Sequence, residues 1–188
     1  MTVEEIFIEL TNHMIKGLMV HERMADYYDF LGLKGYRYCH EYHSLKESIG
    51  YRKLYHYYME RYNKLIPETH FDTPAIIPEN WYRYTRQDVD TKTKRTSVKN
   101  GLEMWSKWEK DTKELYEKMF KELYDMGETA ASLKVRDLIA DVEEELASIE
   151  DKMLKHQAVD YDIQNIIEEQ EALYSKYKGK MYCCFVEE

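Results

Sequence analysis

Four glutamates stand where hydrocarbon is expected. Glu22 lies four residues after Leu18 and three before Ala25, and Glu47 lies four after His43 and seven before Leu54. Glu109 lies four after Trp105 and three before Thr112, and Glu145 three after Val142 and four before Ile149. Each therefore interrupts an apolar stripe of helical spacing. An unpaired carboxylate is costly to bury, so each must be paired, metal-bound or more exposed than its stripe implies. One glutamate from each of four helices would suffice to hold one or two divalent ions, and hard oxygen donors suit iron or manganese. The competing reading is ordinary: glutamate is a good helix former, acidic residues number 36, and any one of the four can be solvated or ion-paired.

Two further residues extend the set. His43 precedes Glu47 by one turn, and Asp26 follows Glu22 by one turn. In an antiparallel hairpin they share the adjacent layer, so Glu22, Asp26, His43 and Glu47 form an alternative, displaced site. His40 and His43 are a second pair at ligand spacing, although a hydrogen-bonded, half-buried histidine is the preferred reading of His43. His13, His21, His56, His70 and His156 show no convergent spacing.

Long helices must position these residues. The chain has only 7 Gly and 3 Pro, which favours few, long helices. The first is predicted over about residues 2–31, ending at Gly32-Leu33-Lys34-Gly35, and the second over about 36–65, stopped by Pro67. A segment over about 66–96 holds all three prolines, with Trp81, Tyr82 and Tyr84. It is long enough to run the length of a bundle. A third helix follows over about 97–126, capped by Thr96 or Ser97. A fourth covers about 129–156 and a shorter fifth about 160–178, capped by Asp160. Two hairpins joined by one long crossover give an all-α, antiparallel four-helix bundle in one domain spanning 1–188.

Composition narrows the function classes. The formal net charge of −9 weighs against nucleic acid as main partner, although Lys92, Lys94, Arg95 and Lys99 form a small basic run. No apolar run approaches the length needed to cross a bilayer, and the acidic N-terminus is unlike a secretory signal. Three cysteines, Cys183 and Cys184 adjacent, make a poor disulfide framework, so free thiols in a cytoplasmic protein are expected. No Ser/His/Asp or Cys/His constellation and no phosphate-binding glycine loop occurs. The 18 tyrosines, many between Tyr36 and Tyr62, suggest core aromatics and contact with another subunit: a homo-oligomer, a dimer or larger.

Over roughly residues 4–156 the sequence resembles the ferritin-like superfamily. The segment Leu18-Met-Val-His-Glu22-Arg-Met-Ala-Asp-Tyr-Tyr is similar to the first helix, Trp108-Glu109-Lys110 to the third, and Leu138-Ile-Ala-Asp-Val-Glu-Glu-Glu145 to the fourth. The resemblance implies a carboxylate metal centre inside the bundle. Metal-active members carry Glu-x-x-His or a close variant on the second and fourth helices, and here Gly50 stands at the His position after Glu47, and Val142 at the acid position before Glu145. Two functions are expected from this pattern. One is a reduced metal site for iron or manganese, able to support oxidation, built from Glu22, Glu47, Glu109 and Glu145 with His43 and Asp26. The other is a scaffold or protein-interaction module without cofactor.

Overall fold

The computed structural model describes residues 1–67, 72, 75–77 and 79–180. Cys183, Cys184, His70, Pro74 and Pro78 lie outside the described residues. Five α-helices follow in order: α1 (Val3–Phe30), α2 (Lys34–Tyr62), α3 (Thr91–Asp125), α4 (Thr129–Ala158) and α5 (Ile163–Tyr177). Among the described residues none is long and apolar enough to cross a membrane.

Helix ends are set by local chemistry. Thr2 and Glu5 close a reciprocal capping box at the start of α1. Asn63, in the left-handed conformation with φ 51°, ends α2 before Pro67 is reached, which leaves Leu65 exposed beyond the helix rather than on its inner face. Asp90, rather than Thr96 or Ser97, caps α3 by accepting from the Thr93 amide, so α3 begins about a turn and a half earlier than its apolar stripe. The crossover is accordingly residues 63–90, not 66–96, and among its described residues are two short 3-10 turns, Glu79–Arg83 and Arg86–Asp88. Asp162, two residues past the expected cap, accepts from the Gln164 amide and starts α5.

α1 and α2 form one antiparallel hairpin, α3 and α4 the other, and α5 folds back along the first half of α2. The crossover carries the chain from the Tyr62 end of the bundle to the opposite end. There Trp81 packs edge-on against Tyr27 and Arg86 pairs with Asp29. The core falls into two clusters. One, near the N-terminus of α1, gathers Ile6, Phe7, Leu10, Met14, Leu54, Tyr58, Tyr116, Met119, Leu123 and Val135. The other gathers Met24, Tyr28, Leu31, Tyr36, Leu102, Trp105, Ile149, Ile166 and Tyr177. Between them lies a polar layer.

Candidate metal centre

The layer is built where α1, α2, α3 and α4 pass side by side. Glu47, Glu109 and Glu145 all turn inward here. Glu109 is 1% exposed, and Glu145 and Glu47 are partly buried. Opposite Glu47 on α1 stands Gly17. A Cβ added there would lie 2.8 Å from a Glu47 carboxylate oxygen, so the carboxylate occupies the space that a side chain would need. The inner face of α1 therefore runs through Leu10, Met14, Gly17, His21, Met24 and Tyr28.

That register removes two expected residues from the interior. Glu22 and Asp26 are exposed. A rotation of about 100° per residue carries Glu22, the next after His21, round to the exposed side of α1, where Asp26 follows a turn later. Glu22 instead accepts a hydrogen bond from Ser44 at 2.5 Å on the flank of the α1–α2 hairpin. Leu18, which suggested the wrong stripe, is only partly buried. Thus three of the four glutamates are brought to one layer with His43, while Glu22 and Asp26 are not.

The residue missed by sequence reasoning is His21. Its Nδ1 lies 3.1 Å from His40 Nδ1, and its Nε2 lies 3.7 Å from Glu109 Oε1. The two Nδ1 atoms bond only when one imidazole donates and the other accepts. Glu109 Oε1 also accepts from Trp105 Nε1 at 3.0 Å. Trp105 packs against His21, His40 and His43 with ring centroids 5.9, 4.6 and 4.9 Å away. The available signal was Gly17: a glycine inside a good helix marks a close approach, and counting four from it gives His21.

Charge in the layer is unevenly balanced. Burial alone would raise the Glu145 carboxyl, but His43 and Lys46 outweigh it and hold it at about 2. Lys46 pairs with Glu145 Oε1, and His43 Nδ1 stands 3.1 Å from Oε2. Burial pushes His43 and His40 down, so both imidazoles are neutral at pH 7. Glu47 is different. Burial first, and then the neighbouring charges of Glu109 and Glu145, raise its carboxyl well above the usual range. Its own helix supplies Lys46, but that ammonium is engaged by Glu145.

The donor set fits a hard divalent ion in part. Three carboxylates and a neutral imidazole are the ligands that iron or manganese takes. Against this, Gly17, Gly50 and Val142 offer no donors, and among the described residues no three of His, Cys, Asp and Glu already stand in ligand geometry. The remaining basic run lies at the start of α3, where Arg95 is bound to the Asp160 and Tyr161 carbonyls and to the Asp160 carboxylate.

No protein-family model matches the sequence, and no curated protein does. Solved structures do match. An open-pore ferritin from the hyperthermophilic archaeon Archaeoglobus fulgidus superposes with a TM-score of 0.72 at 16% identity, over 90% of this chain and 94% of that one. A humanized archaeal ferritin gives 0.75 at 18% identity, over 90% and 93%. A closed form of the A. fulgidus ferritin, engineered by site-directed mutagenesis, gives 0.73 at 16%, over 92% and 96%. At such identities the likeness speaks for architecture alone, and it agrees with the two hairpins, the full-length crossover and the short last helix: the chain has the ferritin-like fold.

Proposed function

We propose that this ferritin-like bundle takes up a single divalent ion of the iron or manganese kind, held by Glu47, Glu109 and Glu145 with His43 as a nitrogen donor. The observation that supports this reading is Glu47: an inward carboxylate without a counter-charge, beside two others already ionised or engaged. Three carboxylates near one lysine leave a deficit of positive charge, which a cation would fill. Without the ion, Glu47 balances the layer by keeping its proton, so metal uptake near neutral pH should release that proton. A bound iron or manganese would supply one-electron redox chemistry. Around it, the apolar clusters on either side limit water, and Trp105 fixes the Glu109 carboxylate.

The test is elemental analysis of protein purified without chelator, before and after anaerobic Fe(II) or Mn(II) addition. Near-stoichiometric metal is expected, with affinity at least tenfold weaker in Glu47→Gln. Absence of saturable uptake would sink the reading.

A second function is favoured by a different observation. Glu109 is already held by Trp105, and Glu145 by Lys46, so the layer can close on itself. In that case the chain is a cofactor-free scaffold that assembles with copies of itself or with another protein. Glu47→Leu would then raise stability, because it replaces a buried carboxyl with hydrocarbon. Native mass spectrometry reports the oligomer in either case.

A further inference from the structure

Lys46 belongs to two places at once. It stands on α2 one residue before Glu47, and it lines a groove of about 760 Å³ between α2 and α4. Its ammonium nevertheless reaches Glu145 Oε1 in the carboxylate layer. The side chain is 38% exposed, so it enters the layer from the solvent side.

Glu145 Oε1 is also an oxygen that an ion among Glu47, Glu109 and Glu145 would use. The other oxygen, Oε2, faces His43 Nδ1 at 3.1 Å. An ammonium has three donors and no lone pair, so it cannot share the ion's coordination, and its charge repels a divalent cation at close range. Lys46 and the ion therefore exclude each other at Glu145.

A second acceptor lies one turn away. Asp141 precedes Glu145 by four residues on α4, a rise of about 6 Å on nearly the same face, and it lines the groove together with Lys46. Its charge already acts on the Lys46 ammonium. Neighbouring carboxylates of α4 are engaged, Asp137 with Arg136 and Glu143 with Lys113. Asp141 makes no ion pair among the described residues. Lys134, on the same groove, is drawn over the Tyr57 ring instead. The flexible four-carbon stem of a lysine can cover a step of one helical turn.

We propose that Lys46 is a built-in competitor of the metal ion: it holds Glu145 until an ion takes that carboxylate, and then moves along the groove to Asp141. This rests on the reading that the carboxylate layer takes up an ion. Because it is tethered, the ammonium competes at a high effective concentration. Apparent affinity is then the intrinsic affinity reduced by the fraction of molecules in which Glu145 is free. The ion is accordingly held loosely enough to exchange, and Asp141 sets how readily Lys46 gives way.

Calorimetric titration of the chelator-free full chain with Mn(II) tests this. Lys46→Met should bind at least about tenfold more tightly than the unaltered chain. Lys46→Arg keeps charge and reach, so it should bind as weakly as the unaltered chain or more so. Asp141→Asn should weaken binding about threefold, and the loss should vanish in Lys46→Met/Asp141→Asn, because Asp141 acts through Lys46. Mn(II) should also raise the unfolding midpoint of Lys46→Met by more than that of the unaltered chain. Uptake by Lys46→Met where the unaltered chain shows none would support the competitor in its strongest form. Saturable uptake by the unaltered chain with no gain in Lys46→Met would overturn the competitor and leave the carboxylate site standing. An Asp141→Asn variant that binds like the unaltered chain, or a loss that persists in the double variant, would do the same. No saturable uptake by either the unaltered chain or Lys46→Met would sink both readings.

Discussion

The two halves of this bundle are packed by different means. The half near the N-terminus of α1 is closed by four helices and hydrocarbon: Ile6, Phe7, Leu10, Met119 and Leu123 are all fully buried. Two of its phenols direct their hydroxyls to the rim, Tyr58 toward Glu4 and Tyr62 to Glu128. The half beyond the carboxylate layer is closed by aromatic and imidazole rings, and it needs α5 to seal it with Ile166, Leu173 and Tyr177. Here Trp105 packs at a tilt on His40, and His40, Tyr28 and Tyr36 stack in succession, with Tyr36 Oη 3.0 Å from His156 Nε2. Hydrocarbon needs only shape to pack, whereas each ring nitrogen or hydroxyl taken from water also needs a partner of the right protonation state. The first half should therefore answer to volume and the second to protons.

Phe7→Ala gives the largest expected effect. Phe7 is fully buried and meets Tyr57, Tyr58 and Tyr62 within 6.0 Å, so its loss opens a cavity that rigid neighbours cannot fill. A loss of about 3–5 kcal/mol in denaturant unfolding is expected, insensitive to pH between 5 and 8. A loss under 1 kcal/mol would mean that this half is as adaptable as a surface.

Acid should act in the opposite way. Burial keeps His40, His43 and His156 neutral, and it lowers His13 to about 4, with Lys16 adding to the effect. Folded pKa values below the unfolded value near 6.5 mean that the unfolded chain binds more protons in between. Stability is thus complete above pH 6.5 and is lost as pH falls toward 4. His13, which packs on Trp108 and Tyr116 on the first half's side of the layer, is the exception in that half and carries on the order of 3 kcal/mol of that slope. Because three of these four imidazoles lie at or beyond the carboxylate layer, amides around Tyr36–His43 should lose hydrogen-exchange protection at pH 5 before those of Ile6–Leu10. Simultaneous loss in both would erase the distinction.

This contrast also explains what the sequence disclosed. The helices, their pairing and the long crossover follow from apolar periodicity, scarce glycine and the clustering of proline, all of which are local. Helix starts were missed where a polar cap, Asp90 or Asp162, lies outside the apolar stripe. Of the site, Glu47, Glu109, Glu145 and His43 were legible because each stands on a stripe whose phase its neighbours define. On α1 two phases compete, since Leu18, Glu22 and Asp26 repeat at helical spacing just as Gly17, His21 and Met24 do. Only contact with α2 decides between them, because Glu47 needs the space that Gly17 leaves. The hydrogen bond between His21 and His40 is equally illegible: it joins two helices through ring nitrogens whose tautomers no spacing encodes.

The smallest effects give the sharpest test, because two neighbouring tyrosines should respond with opposite signs. Tyr36 and Tyr28 are both fully buried and stack on each other at 5.0 Å. Tyr36 Oη is bonded to His156 Nε2, so Tyr36→Phe leaves a buried imidazole nitrogen without its partner and should cost about 1–2 kcal/mol. Tyr28 Oη finds no hydrogen-bond partner among the described residues. It presses against α3 at Gly101, where an added Cβ would lie 2.0 Å from it. Removing that hydroxyl relieves an unsatisfied polar group without breaking a bond, so Tyr28→Phe should be neutral or stabilising by up to about 1 kcal/mol. Equilibrium unfolding of the two variants side by side decides the matter. If both lose stability equally, Tyr28 has a hydrogen-bond partner in solution, and the aromatic half is held by a continuous polar chain rather than by stacking with a single hydrogen bond at its end.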